Sequence, residues 1–135
     1  MAFARRVFDR IGMFDPILGT GTRIGSFDEI DLLYRALKRG LKIVFSPHIL
    51  VYHDHGRATN ASVESVEYEY VKGRGAFYCK GILHGDKEIL KLAYWEVRRS
   101  FTGQSRGFDP AGTHIAAGKL LRNLLAGAIY QLRWR

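Results

Sequence analysis

Three glycines in seven residues, Gly19, Gly21 and Gly25, lead straight into an amphipathic helix, and no other stretch restricts this chain as much. Glycine reaches backbone conformations closed to other residues, so the segment reads as a tight loop. Behind it, Ile30, Leu33 and Leu37 fall on one helical face with Ala36 beside them. Gly40 closes the helix, and Lys38 and Arg39 sit in its last turn, where cations complement the dipole. The loop therefore delivers three acids, Asp28, Glu29 and Asp31, to the start of a helix.

Those acids have two readings. In the first they are structural. Ser26 and Glu29 have the spacing of a capping box, Asp28 and Glu29 complement the helix N-terminus, and Asp31 stands four residues before Arg35 as an ion pair. In the second, one carboxylate faces a cleft beside the loop and takes a proton.

The flanking sequence predicts alternating elements. Phe3 to Ile11 has a helical apolar face ended by Gly12, and Phe14-Asp15-Pro16 is a turn. Lys42 to Ser46 and Ile49 to His53 are rich in β-branched and aromatic residues, which predicts two short strands interrupted by Pro47. Further helices are predicted from Ser62 to about Leu83, with Val63, Val66, Tyr70 and Phe77 in phase, and from Gly85-Asp86 to Arg99, with Ile89, Leu90, Ala93 and Val97 inward. A last helix runs from about Thr113 to Leu132. Gly73 and Gly75 are expected to weaken the first of these, by about 1 kcal/mol each relative to alanine.

Charge and composition narrow the function classes. The net charge is +8 over 135 residues, with 12 basic against 9 acidic groups up to residue 85 and 9 against 4 beyond it. The cationic bias of the second part suits anionic surfaces or phosphorylated ligands. Aromatics interleaved with Lys72, Arg74 and Lys80 read as a core stripe with a solvated basic face, so no nucleic-acid partner is expected. The single Cys79 forms no internal disulfide and reads as a buried thiol. Arg5, Arg6 and Arg10 follow Met1 without an apolar run, so no secretory signal is expected.

Three further features invite a ligand. His53 and His55 are two apart with Asp54 between them, which reads either as a partial metal site or as ordinary surface histidines. The spacing Gly19-x-Gly21-x-x-x-Gly25 is one residue too long for a dinucleotide loop, so it reads as the wall of an acceptor pocket or as a plain turn. The C-terminal helix carries Leu120, Leu121, Leu124, Ala128 and Leu132 with Lys119, Arg122 and Arg133, then Trp134. It reads as an interfacial membrane helix or as one packed on its own domain.

Taken in order, Gly25, Asp28, Glu29, Asp31, Leu32 and Arg35 resemble the acidic motif of family-2 inverting glycosyltransferases, whose pattern is Gly-x-x-Glu-Asp-x-Asp-Leu followed by Arg. The preceding Phe3 to Asp15 and Leu18-Gly19, and the following Ile43 to Pro47 and Val51 to His53, are similar to that family's neighbouring segments, so the likeness covers Met1 to roughly Arg57. The Glu-Asp order is reversed here to Asp28-Glu29, leaving both as candidates for the base.

The resemblance implies an α/β fold: residues 1–57 as a partial GT-A domain with a few short strands, and residues 58–135 as a mostly helical, membrane-proximal extension. It implies a hexosyltransferase that moves sugar from a nucleotide-diphosphate-sugar to a glycan or lipid-linked acceptor with inversion, in cell-envelope polysaccharide synthesis. Glu29, then Asp28 and Asp31, would be catalytic. Gly19, Thr20, Gly21, Thr22, Gly25 and Arg35 would bind substrate. His53 would touch the metal, Mg²⁺ or Mn²⁺ in the complete enzyme. The likeness begins in mid-motif at Met1, which implies a truncated product, a misplaced start or a split enzyme with a separate N-terminal half. The 135-residue chain alone is then expected not to turn over nucleotide-sugar, and to reside in the cytoplasm or on the cytoplasmic membrane face. The rival class is a non-catalytic basic module that binds a membrane surface or a partner.

Overall fold

A computed structural model describes residues 1–52, 60–102 and 117–134, with side chains placed from residue 68 onward in the helix that begins at Asn60. Five helices make up the regular structure of the described residues: α1 (Arg5–Ile11), α2 (Asp28–Lys38), α3 (Asn60–Leu83), α4 (Lys87–Phe101) and α5 (Ala117–Arg133). Among the described residues there is no strand, which corrects the expected α/β architecture and its partial GT-A sheet.

The reason lies in residues 41–52. Their β-branched and aromatic pattern is that of strands, but a strand satisfies its backbone only through a neighbour, and this segment has none among the described residues. Within Lys42 to Tyr52 the backbone bonding among the described residues reduces to one turn, Ile49 N–H to Ser46 O at 3.3 Å. Phe45 is 89% exposed and Tyr52 95%.

The helical expectations hold more closely. α1 ends at Gly12, whose positive φ of 77° lets its N–H return to Phe8 O. α2 ends in a left-handed Gly40, with Leu41 N–H bonded to Ala36 O at 3.0 Å. Asp86 caps α4, its Oδ1 accepting from Glu88 N–H at 3.0 Å and Ile89 N–H at 3.4 Å.

Which faces are buried departs from the simple periodic reading. In α2, Asp31, Leu32 and Ala36 are buried, whereas Ile30 and Leu37 of the expected apolar face are exposed. In α4, Ile89 is fully buried but Leu90 points outward. In α3, Tyr70 is exposed, and the helix instead buries two sides. Val71 packs with Leu120 and Leu124 of α5, and Ala76 packs with Leu18 and Ile24 of the glycine loop.

The α3–α5 crossing depends on small residues. A Cβ on Gly75 would sit 2.1 Å from Leu124 O, and one on Gly127 would sit 1.9 Å from Lys72 O. Gly75 therefore admits the neighbouring backbone rather than merely loosening its own helix. Gly73 does the same for the loop, since a Cβ there would lie 2.3 Å from Ser26 Oγ.

One buried polar atom lacks a partner. Gln131 on α5 is 3% exposed, and its Oε1 accepts no hydrogen bond among the described residues. An unsatisfied buried acceptor costs about 1–3 kcal/mol, so Gln131→Met, close in volume, is expected to raise stability by about 1 kcal/mol in urea unfolding.

Candidate active site

The glycine loop is a closed turn held by one hydroxyl. Thr22 Oγ1 donates to Gly19 O at 2.9 Å and accepts from Ile24 N–H and Gly25 N–H, each at 3.1 Å. Gly19 N–H reaches Ser26 O at 3.2 Å, so the two ends of the loop meet. Leu18 and Ile24 anchor it in the core.

Two of its glycines make room for carboxylates. Gly19, at φ 93°, has Asp28 against it: a Cβ there would lie 2.7 Å from Asp28 Cγ and Oδ2. Gly25, at φ 84°, has Glu69 of α3 against it, 3.1 Å from a Cβ to Glu69 Cδ. Gly21 also has positive φ but faces open space.

Phe27 then enters α2 in the left-handed region at φ 79°, a position that costs an aromatic residue on the order of 1–3 kcal/mol. Its ring packs 5.8 Å from that of Phe77, which holds the strained residue in place. The expected capping box does not form. Phe27 is the N-cap, without a side-chain cap, and the buried Ser26 donates Oγ to Glu69 O at 2.8 Å.

These constraints open a polar hollow of about 80 Å³ lined by Thr20, Gly25, Ser26, Asp28, Glu29, Glu69 and Tyr70. Three carboxylates line it, and among the described residues no cation does. The Glu29 carboxyl has a pKa raised above its ordinary 4.5. Loss of solvation is the main cause; its own backbone N–H works against this, and the hydrogen bond and charge of Asp28 add to the rise. Asp28 and Glu29 therefore act as a pair at the mouth of the hollow.

Asp31 lies elsewhere. It is 3% exposed and does not line the hollow. Arg35 Nε donates to its Oδ2 at 2.8 Å, and Lys80 Nζ donates to its Oδ1 at 2.7 Å. Lys80 also donates to Asp15 Oδ2 at 2.7 Å, while Arg35 donates to Ile11 O and to Met13 O, the latter at 2.8 Å. Burial pushes the Asp15 carboxyl up, but the Lys80 hydrogen bond, the Ile17 N–H and the charges of Lys80 and Arg35 outweigh it, and the pKa is lowered. Asp31 and Arg35 thus tie the ends of α1 and α2 to α3 and have no access to a ligand in the hollow.

Of the residues expected to form the site, Thr20, Gly25, Asp28 and Glu29 come together, with Gly19 immediately beneath Asp28. Gly21 and Thr22 shape the loop without lining the hollow. His53 lies outside the described residues. The described residues contain no group of three His, Cys, Asp or Glu side chains placed to hold a metal ion. Glu69 and Tyr70 escaped the sequence reading because they stand over forty residues from the loop, on a helix whose register against it is set by tertiary packing. Comparison with protein-family models, with curated proteins and with solved structures finds no match.

Proposed function

We propose that the chain supplies the acceptor-side acid–base group of an inverting glycosyltransferase, in association with a separate nucleotide-binding half. Glu29 takes the proton of an acceptor hydroxyl as that oxygen bonds to the anomeric carbon, and the nucleotide diphosphate leaves with the electron pair of the broken bond. The observation that carries this reading is the Asp28–Glu29 pair at the mouth of a polar hollow, with the Glu29 pKa raised. A carboxyl whose pKa lies nearer the working pH accepts a proton better, and the fixed loop beneath Asp28 holds the pair in one geometry. The reading rests on the site and not on a shared fold.

The test is reconstitution. The chain is mixed with a separately expressed nucleotide-binding half, divalent metal, nucleotide-diphosphate-sugars and glycan acceptors, and labelled sugar transfer is followed. Glu29→Gln is expected to lower kcat by about 10²–10⁴ with little change in KM. The rate should rise with pH through a limb above 4.5, and Asp28→Asn should move that limb to lower pH, because removing the neighbouring charge eases ionisation of Glu29. Transfer by Glu29→Gln within twofold of the parent defeats the proposal, as does transfer by the 135-residue chain with no second half present.

A second reading has its own observation. On α5, Leu125, Ile129 and Leu132 form an exposed apolar stripe beside Arg122 and Arg133, with Trp134 exposed at the end. No helix among the described residues is long and apolar enough to cross a membrane, but such a stripe can lie in an interface. The chain is expected to co-sediment with vesicles of phosphatidylcholine and phosphatidylglycerol. Binding should weaken with salt and be lost in Leu125→Glu/Ile129→Glu, while Glu29→Gln leaves it unchanged. Equal binding to purely zwitterionic vesicles would remove the electrostatic part of this reading.

A further inference from the structure

Residues 41–52 pose a problem that neither reading above uses. Beside them, α1 and α2 form a groove of about 820 Å³, whose apolar wall includes Val7, Leu33, Val44, Phe45, Ile49 and Val51. Val44 is 79% exposed and Phe45 89%, and the α2 residues Ile30 and Leu37 are exposed as well. Of the apolar face that periodicity assigns to α2, Leu33 lines the groove. Contiguous exposure on this scale marks an interaction surface.

Two observations identify the occupant. First, the backbone from Lys42 to Tyr52 is unsatisfied. Apart from the single Ile49–Ser46 turn, none of its N–H or C=O groups has a hydrogen bond among the described residues. An apolar ligand or a helix packed in the groove would cover the side chains and leave those groups without partners. An extended chain satisfies both at once, as in strand addition to a sheet edge. Second, the groove is cationic. Arg6, Arg10 and Lys42 line it, and no acid among the described residues does. A second copy would bring the same cations, on a chain of net charge +8. The charge therefore favours a partner carrying carboxylates.

We propose that this groove binds an extended segment of another protein, carrying both apolar and acidic side chains on one face, as a β-strand along residues 42–51. The partner's backbone pairs with that of Val44 and its neighbours. Side chains on its groove-facing side are apolar where they meet Val7 and Leu33 and acidic where they meet Arg6, Arg10 and Lys42. The proposal is independent of the role of Glu29.

Three labelled nine-residue peptides test it against the full chain: one with isoleucine and glutamate taking turns at every second position and serine between them, one with lysine in place of glutamate, and the acidic one with alternate amides N-methylated. Fluorescence anisotropy reads affinity and amide chemical shifts read location. The acidic peptide is expected to bind saturably, at least tenfold tighter than the lysine peptide, and to shift the amides of residues 42–51. N-methylation should abolish binding. Val44→Pro, which removes one backbone donor, should abolish it too with helical circular dichroism unchanged. Phe45→Ser, which keeps the backbone, should weaken it. Equal affinity for the acidic and lysine peptides, tolerance of N-methylation, or shifts confined to other residues would each overturn the proposal. So would peptide-free dimerisation that Val44→Pro abolishes, which would make a second copy the occupant, or vesicle adsorption that Phe45→Ser abolishes, which would make it a lipid surface.

Discussion

Lys80→Met is expected to remove about 3 kcal/mol of stability near neutral pH, measured as a drop in the urea midpoint at unchanged slope. Lys80 stands between two carboxylates, 2.7 Å from Asp15 and 2.7 Å from Asp31. Methionine fills the same space but leaves Asp15 without its cation and Asp31 with Arg35 alone. Removing one partner of a buried pair typically costs about 3–5 kcal/mol, and the part of Lys80 that meets solvent places the figure at the low end. Against a total stability of about 5–15 kcal/mol this is a large fraction.

The pH dependence gives the result its signature. The folded-state pKa of Asp15 lies below its ordinary 3.8. Ionised Asp15 thus stabilises the fold above the unfolded value, and that contribution is lost as pH falls through the lowered folded value. The parent protein should therefore lose stability between about pH 5 and the acid range. Lys80→Met should lose less there, because its Asp15 keeps only the Ile17 N–H and the charge of Arg35 to favour the ionised form. Parallel pH profiles for the two proteins would show that Lys80 does not control this titration. Asp15→Asn should cost less in the Lys80→Met background than in the parent, because the pair shares one interaction.

Gly127→Ala is the second large effect, and it works through shape alone. The added methyl would lie 1.9 Å from Lys72 O and 2.8 Å from Ala76 N, both backbone atoms of α3. No rotamer relieves that contact, so α3 and α5 must separate, and their shared core of Val71, Leu120 and Leu124 opens with them. Overpacking of this kind costs about 1–3 kcal/mol or more, which corresponds to a fall in Tm on the order of 10 °C. Alanine at Gly118, where nothing lies within 4 Å, is the control. It should be neutral or slightly stabilising, since alanine is the better helix former by about 1 kcal/mol. Equal effects at the two positions would mean that α3 and α5 do not pack this closely.

The contrast between these glycines illustrates what a sequence can carry. Gly73 and Gly75 predict a weakened helix, because propensity is a local quantity. In the fold each admits another element, the Ser26 turn and the Leu124 backbone. Ser26 and Glu29 likewise predict a capping box, yet the Ser26 hydroxyl finds Glu69 O, 43 positions away, and Phe27 takes the cap. The ion pair between Asp31 and Arg35 was legible because both partners lie within one turn of one helix. Lys80, which completes that cluster, was not.

The candidate site divides in the same way. The loop, and the acids it carries to the start of α2, follow from glycine spacing and helical periodicity. That Asp28 and Glu29 border the hollow while Asp31 is buried depends on how α2 is rotated against α3, and Glu69 joins them only through that packing.

By itself, then, the sequence determined where the helices run, how α1, α2 and α4 end, and that a flexible-backbone loop presents acids at a helix start. Those features depend on residues a few positions apart. The tertiary structure alone decided which helical faces are buried, which glycines are contacts, and that residues 41–52 form no sheet. A strand exists only where a second backbone supplies its hydrogen bonds, and the described residues of this chain provide none.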